Sequence, residues 1–441
     1  MEMEPILNTP AIREIQLKKL KVLVKQLYDN KPFWRSRLDG AGVKPSDIRT
    51  LDDFSKAVPV FDKEERRKLF EACGGDMRKV VDSVIAVPIK KIRLMAATSG
   101  TTGEPTPYPF TKKDIRRSEE GFARMLWRMG IREGNVIVNA FGMSMFIVGV
   151  PFTEFFQKIA CVLPVGAEGG TERILKFLKL FKADTLACTP SLATHLIEKA
   201  PSVLGDSIAG LGIKRLFCAG EPGAGIPEIK SRIEGAYGAK MYDHGGGSGI
   251  SCDHPEYQGM HHIAEDATYV ELVDQNTGEP VPFKNGAVGI AVQTTLEGEG
   301  FLWFRETLGD IWQVFTEPCP CGRTGFRYKI VGRTDDMLKV KGVMVYPASI
   351  AGVIKGFVPR ITGEFRIVLN EPPPRVEPPL NLKIERGENF PESQLASLAM
   401  EIEDTMHSRL KIRPKISWIP PNSLERASHK TKIFEKNYKE K

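Results

Sequence analysis

The sequence predicts an α/β protein in two parts. The first is a large N-terminal domain with parallel or mixed β-sheets flanked by helices, itself carrying a β-rich subdomain. The second is a small mobile α+β domain at the C-terminus. Three observations carry this expectation. Between Val136 and Tyr242, short apolar runs alternate with helices of one to three turns, the pattern of a parallel sheet with crossover helices. After residue 265 the runs follow one another as hairpins. Beyond the charged segment Arg333–Gly342 come a strand, a proline-rich bridge, another strand, a helix and a last strand. At 441 residues the chain is long for one domain, and the expected boundaries are 1–331 (β-rich from about 265), a hinge at 332–336 and 337–441.

Taken in order, residues 11–38 read as a helix with an apolar stripe of Ile12, Ile15, Leu17, Leu20, Val24 and Leu27. Short helices follow over 51–70, one of them capped by Asp62. Lys112–Met129 is amphipathic. The alternating part then runs as strands Val136–Ala140, Cys161–Val165, Thr185–Cys188, Arg215–Ala219 and Lys240–Tyr242. Between them lie helices Val150–Ile159, Glu172–Lys182, Ser191–Lys199 and Pro227–Tyr237. Ligands on such a sheet collect at the carboxyl ends of the strands. Tyr269–Asp274, Val288–Thr295, Phe301–Phe304 and Ile311–Phe315 read as hairpin strands, with Asn276-Thr-Gly as a turn. Farther on, Arg366–Asn370, Leu380–Ile384 and Ile416–Ile419 are strands and Glu392–Leu410 a helix.

Composition narrows the function. A net charge of +7 from 62 basic and 55 acidic side chains is a small surplus on a mixed surface. It suits an anionic small molecule, and no arginine-rich block or basic–aromatic interleaving points to nucleic acid. No apolar run approaches a membrane span, so a cytoplasmic protein with no membrane partner is expected. A homodimer is compatible with the composition. Seven cysteines, an odd number, argue against a disulfide framework.

Residues 98–110, Thr-Ser-Gly-Thr-Thr-Gly-Glu-Pro-Thr-Pro-Tyr-Pro-Phe, concentrate the chemistry. Hydroxyls and backbone N–H groups turned inward at glycine can bond phosphate oxygens. The stretch lacks the Gly-Lys-Ser/Thr ending of a Walker loop. An exposed turn has the same composition, and the residues alone leave both readings standing. Cys319-Pro-Cys321-Gly322, with Cys252 and three histidines (His254, His261, His262) upstream, suits a tetrahedral Zn²⁺ site. Free thiols and a dithiol redox pair are the alternatives.

Taken together these stretches resemble the phenylacetate–CoA ligase branch of the adenylate-forming enzymes, over nearly the whole chain. Thr98, Ser99, Gly100, Thr101, Thr102 and Gly103 are similar to the family's phosphate loop, and Gly220-Glu221-Pro222 to its adenine-side loop. Tyr242 and Asp243 match the strand beside the adenine, and Asp310 the aspartate on the ribose hydroxyls. Gly332-Arg333-Thr-Asp335-Asp resembles the hinge signature, and Lys430 in Ser423–Lys432 the closing motif's catalytic lysine, with Lys432 in reserve. The resemblance implies a 1–331 AMP-binding domain and a 337–441 lid pivoting at Asp335. It further implies ATP, Mg²⁺ and coenzyme A acting on a small-molecule carboxylic acid: an acyl-adenylate forms first, then a thioester. Phe141 and Met143 (with Met145 and Phe146) fall where the family lines its acyl pocket, and Gly245 borders it. Part of the family also carries Cys-Pro-Cys-Gly with an upstream Cys and Gly-x-His. That favours structural Zn²⁺ on Cys252, His261, Cys319 and Cys321, with His254 in reserve.

Three departures stand out. Glu104 replaces a lysine of the phosphate loop. Gly246 stands where the family has its Mg²⁺-binding glutamate, leaving Asp243, His244, or the phosphates and water to hold the ion. The run Trp303–Asp310 looks one residue longer than usual. They keep two alternatives open: an adenylating enzyme with a non-CoA acceptor, like the coenzyme F390 synthetases, and a nucleotide-binding protein without catalysis.

Overall fold

The computed structural model describes residues 10–97, 105–341, 343–424 and 433–438. A 12-stranded sheet runs through the larger part, and five strands at one end are parallel: Cys161–Pro164, Val136–Asn139, Thr185–Cys188, Arg215–Cys218 and Lys240–Gly245. The expected parallel sheet is therefore present. It does not stop at Tyr242, however. The chain turns back at Gly246–Ser248, and the sheet continues, antiparallel, through Gly249–Ser251, Met260–His262, Arg327–Arg333, Asp310–Phe315, Val288–Thr295 and Thr268–Val273 to Pro280–Val281. The parallel and hairpin regions are thus one surface, joined at the glycine hairpin.

Local signals explain most of the helices. Thr50 and Thr111 close reciprocal capping boxes with Asp53 and Asp114, and Asp62 accepts from the Glu65 N–H as expected. The first helix is two, Pro10–Asn30 and Pro32–Gly40, because Pro32 has no N–H to continue the ladder and is accommodated at a first turn. Ile15 of the expected stripe is exposed, whereas Ile12, Leu20, Val24 and Leu27 are buried. Phe301–Phe304 is not a ladder strand. The isolated bridges nearby fall on Glu306 instead, to Phe61 and Gln293, and Arg305 at φ 47° turns the chain just beyond Phe304. Fully buried Asp114 pins that run by accepting from the N–H groups of Glu299, Gly300 and Phe301.

Beyond residue 337 the described chain has its own core, with Leu338, Ile350, Ile354, Ile367, Leu382 and Ile402 among its members. Four strands order it: Lys415–Ile419, Asn381–Arg386, Ile361–Leu369 and Phe434–Lys436. A three-stranded sheet sits beside them, Val343–Val345, Leu338–Val340 and Arg375–Val376, so the proline-rich bridge contributes a strand of its own. The helices Pro347–Lys355 and Leu395–Leu410 complete this part. The charged segment after Arg333 is a turn followed at once by strand.

Candidate active site

Three of the sequence-derived regions lie at the carboxyl ends of parallel strands: residues 141–146 after Val136–Asn139, residues 220–222 after Arg215–Cys218, and Asp243 near the end of Lys240–Gly245. Strand Arg215–Cys218 runs into Gly220, whose φ of 90° turns the chain, and the next residue, Glu221, accepts from the Ser191 N–H at 2.6 Å. A Cβ on Gly225 of that loop would lie 3.0 Å from Asp243 and 3.1 Å from Tyr257, so the adenine-side loop packs directly on Asp243. Asp243 accepts the Tyr257 hydroxyl at 2.5 Å, and burial pushes its carboxyl up to about 6, against the pull of that hydrogen bond. Tyr242 is buried in the aromatic core.

Asp310 and Arg333 face each other on paired strands, and the Arg333 guanidinium gathers the hinge around itself. It donates to Asp310 at 2.7 Å, to both oxygens of Asp335 at 2.9 and 3.2 Å, and to the Leu308 carbonyl at 2.8 Å. Burial alone would raise Asp335; the bonds from Arg333 outweigh it and hold the carboxyl below its usual range. Lys63 approaches Asp335 at 3.6 Å from the N-terminal helices. Gly332 is required here, since a Cβ would fall 2.2 Å from the Tyr346 ring packed on it.

On the acyl side, Phe141 is a core residue set edge-on against Phe152 at 6.2 Å. Met143 is half-buried, with its N–H on Glu168, and Met145 is exposed. This segment docks on the strand entering the phosphate loop: the Ala97 N–H donates to the Met145 carbonyl at 2.7 Å, and Phe146 bridges Ala97. The loop residues Thr98, Ser99, Gly100, Thr101, Thr102 and Gly103, together with Lys430 and Lys432, lie outside the described residues.

The glycine hairpin differs from expectation. Room for a bulkier ligand beside Gly245–Gly247 is taken up by the protein's own aromatics. Trp312 and Tyr328 stack at 3.7 Å with planes 7° apart, and a Cβ on Gly246 would lie 2.4 Å from Trp312. Tyr328 donates to the Gly245 carbonyl at 2.6 Å, and Trp303 closes over Gly247. With φ of 61° at Gly246 as well, no glutamate fits there. The stand-in His244 is buried between Phe122, Phe152 and Phe217 with Nδ1 on the Gly249 carbonyl at 2.7 Å, and burial lowers its pKa to about 4. Neither it nor Asp243, engaged with Tyr257, is presented as a metal ligand.

The ligand atoms of Cys252, His261, Cys319 and Cys321 all lie within 4.8 Å of one another. Cys252 and Cys319 sulfurs are 4.0 Å apart, and Cys321 Sγ is 3.5 Å from His261 Nε2. A tetrahedral zinc with Zn–S near 2.3 Å spaces its sulfurs by roughly 3.8 Å, so the donor set fits that ion. His261 Nδ1 lies 3.4 Å from the Thr324 carbonyl, which orients the ring with Nε2 toward the thiols. The Gly322 N–H bonds the Cys319 carbonyl, closing the turn that carries both thiols. The reserve ligand His254 is not in this group of four; its Nδ1 takes part in a local turn with Glu256 and Gln258.

A sheet with this strand-end loop cluster, and an aspartate–arginine–aspartate knot where the second part begins, defines an adenylate-forming enzyme. A family model for the AMP-binding enzyme C-terminal domain matches residues 342–436. The phenylacetate–coenzyme A ligase of Thermus thermophilus is 30% identical over 97% of this chain and 97% of that protein. Among solved structures, a 2-hydroxyisobutyryl-CoA ligase in the postadenylation state, in complex with 2-HIB-AMP, is 29% identical with a TM-score of 0.87, covering 98% of this chain and 90% of that one. In the thioesterification state, with CoA, that ligase superposes at a TM-score of 0.69, covering 98% of this chain and 91% of that one. The chain belongs to the phenylacetate–coenzyme A ligase family, whose members are AMP-forming acid–CoA ligases.

Proposed function

We propose that this ATP-dependent acid–CoA ligase acts on an aromatic, phenylacetate-like or otherwise apolar acid, forming an acyl-adenylate and then its CoA thioester. The observation that carries the reading is the Asp310–Arg333–Asp335 knot. An acceptor-only carboxylate suited to two ribose hydroxyls is tied by one guanidinium to the residue about which the second part would turn. Residues 1–331 act as the adenylation domain, 332–336 as hinge and 337–441 as lid. The higher TM-score against one state of a relative than against another supports a lid that takes two positions. Lys430, delivered by the lid, stabilises charge on the α-phosphate during adenylation, where a fixed positive group in a water-poor site is worth most.

We further propose that Cys252, His261, Cys319 and Cys321 hold a structural Zn²⁺. These four side chains would fix the hairpin Gly249–Ser251/Met260–His262 to the turn at Cys319–Gly322, beside the strand that carries Asp243. The experiment for the main reading is ATP–pyrophosphate exchange with a panel of acids, followed by thioester formation with CoA. Exchange that depends on a carboxylic acid supports the ligase. Exchange that requires a phenolic cofactor supports the F390 synthetase-like alternative, and no exchange with any acid removes the catalytic reading.

A further inference from the structure

The hairpin that lacks the family's metal carboxylate touches an element that offers another. Gln293 and Glu306 exchange both backbone hydrogen bonds, at 2.8 and 2.9 Å, so they are a directly opposed antiparallel pair. Such residues send their side chains to the same face from Cα atoms about 5.5 Å apart. The Gln293 side chain identifies that face: Nε2 donates to the Gly246 carbonyl at 3.1 Å. This fixes the amide's orientation, and Oε1 is left buried without a hydrogen-bond partner among the described residues. Glu306, 5% exposed, leaves on the same side, and Arg66 donates to its Oε1.

Arg66 and Glu306 also line a cavity with Thr106, Pro107, Tyr108 and Trp303, that is, with the strand that leaves the phosphate loop. The Tyr108 hydroxyl, raised first by burial, feels the charges of Glu306 and Arg66 and those of Asp310 and Arg333, so the two charged pairs flank it. A carboxylate has more acceptor sites than one arginine N–H fills. Burying an ion pair beside a cavity, where apolar residues would pack at no loss of stability, is unexplained by folding alone. Hard divalent cations on polyphosphates take one or two protein oxygens besides phosphate and water. A carboxylate next to an orphaned amide oxygen is such a set.

We propose that Glu306, with Gln293 Oε1 beside it, provides the protein oxygens for the divalent cation carried by the bound nucleotide polyphosphate, so that the metal carboxylate has moved from the hairpin to the run 303–310. This rests on the ATP-dependent reading above. It joins two departures of the sequence, the glycine at 246 and the altered run into Asp310, into one compensating change. Arg66, the partner of Glu306 in the resting site, then faces the phosphates.

The test is the ratio of ATP dissociation constants measured with EDTA and with Mg²⁺, by calorimetry on the full chain without acid, so that no turnover contributes. In the parent protein Mg²⁺ strengthens ATP binding. Glu306→Gln shrinks that ratio on the order of tenfold or more, as loss of a metal ligand should, while Mg²⁺-free ATP binding stays within about twofold of the parent. If Glu306→Gln does not fold because Arg66 is stranded, Arg66→Met/Glu306→Gln removes both charges and is expected to show the same loss of Mg²⁺ dependence. An undiminished ratio in whichever of these variants folds overturns the proposal, and so does a ratio that collapses in Asp243→Asn instead. A parent protein that binds no ATP in either buffer refutes the nucleotide reading itself, and the assignment of Glu306 with it.

Discussion

Gly246→Ala is the smallest change that asks whether the family's glutamate has been physically displaced. The added methyl meets two obstacles. The backbone holds φ at 61°, which costs a non-glycine residue roughly 1 kcal/mol. The Cβ would also lie 2.4 Å from Cζ2 of Trp312 and 3.1 Å from the Tyr328 ring. Trp312 is fully buried and stacked at 3.7 Å, so it has no solvent to retreat into. Overpacking of this kind costs about 1–3 kcal/mol. Together the two come to roughly 2–4 kcal/mol. Urea unfolding followed by tryptophan fluorescence measures this: the midpoint falls while the slope is unchanged. Gly246→Glu should be at least as destabilised, with no gain in pyrophosphate exchange. A Gly246→Ala protein within about 0.5 kcal/mol of the parent, the scatter of an ordinary surface substitution, would refute the steric reasoning.

Three further outcomes follow from the same geometry. Arg333→Met leaves Asp310 and Asp335 without their shared cation, so Asp335 should titrate higher, ATP affinity should fall about tenfold or more, and both half-reactions should slow; unchanged ATP affinity would detach the knot from the nucleotide. His244 is held near 4 against an ordinary value near 6.5, so the unfolded chain binds the extra proton and stability is lost as pH falls from about 6.5 toward 4. Asp243, raised to about 6, slopes the opposite way over part of that window, so the diagnostic is the difference profile: His244→Phe should be less stable than the parent at pH 8 but lose less on acidification, and parallel melting-temperature curves would contradict this. Metal analysis should find about one Zn per chain, lost with a drop in melting temperature in Cys319→Ser; a metal-free parent of equal stability would remove the knuckle.

Much of this was legible in the sequence, for identifiable reasons. Thr185–Cys188, Pro227–Tyr237 and Val288–Thr295 were readable to the residue. The first two are bounded by caps, prolines or glycines, and the third carries a β-branched residue at every second position from Val288 to Thr294. The convergence of Cys252, His261, Cys319 and Cys321 was legible because the Cys-Pro-Cys pair suggested a thiol site and the family resemblance singled out its two upstream partners. What escaped was non-local. Arg327–Arg333 carries three cationic side chains, Arg327, Lys329 and Arg333, and a glycine, and only its two partners reveal it as a central strand. Gly249–Ser251 and Met260–His262 are too short and too rich in glycine or histidine to announce a ladder, yet they fuse the parallel and antiparallel regions into one sheet. The role of Glu306 was hidden for the same reason. Its neighbours Gln293 and Arg66 are remote in sequence, the first brought beside it by backbone pairing and the second by the packing of helix Lys63–Ala72.

The account rests on a nucleotide phosphate activated by a lysine from the C-terminal part. The most direct measurement is acid-dependent ATP–pyrophosphate exchange in Lys430→Ala beside ATP binding by the same protein. Exchange lost by a factor of about a hundred or more with ATP affinity retained, as expected for a donor acting mainly on transition-state charge, is the predicted result. Exchange at the parent rate in both Lys430→Ala and Lys432→Ala would contradict it.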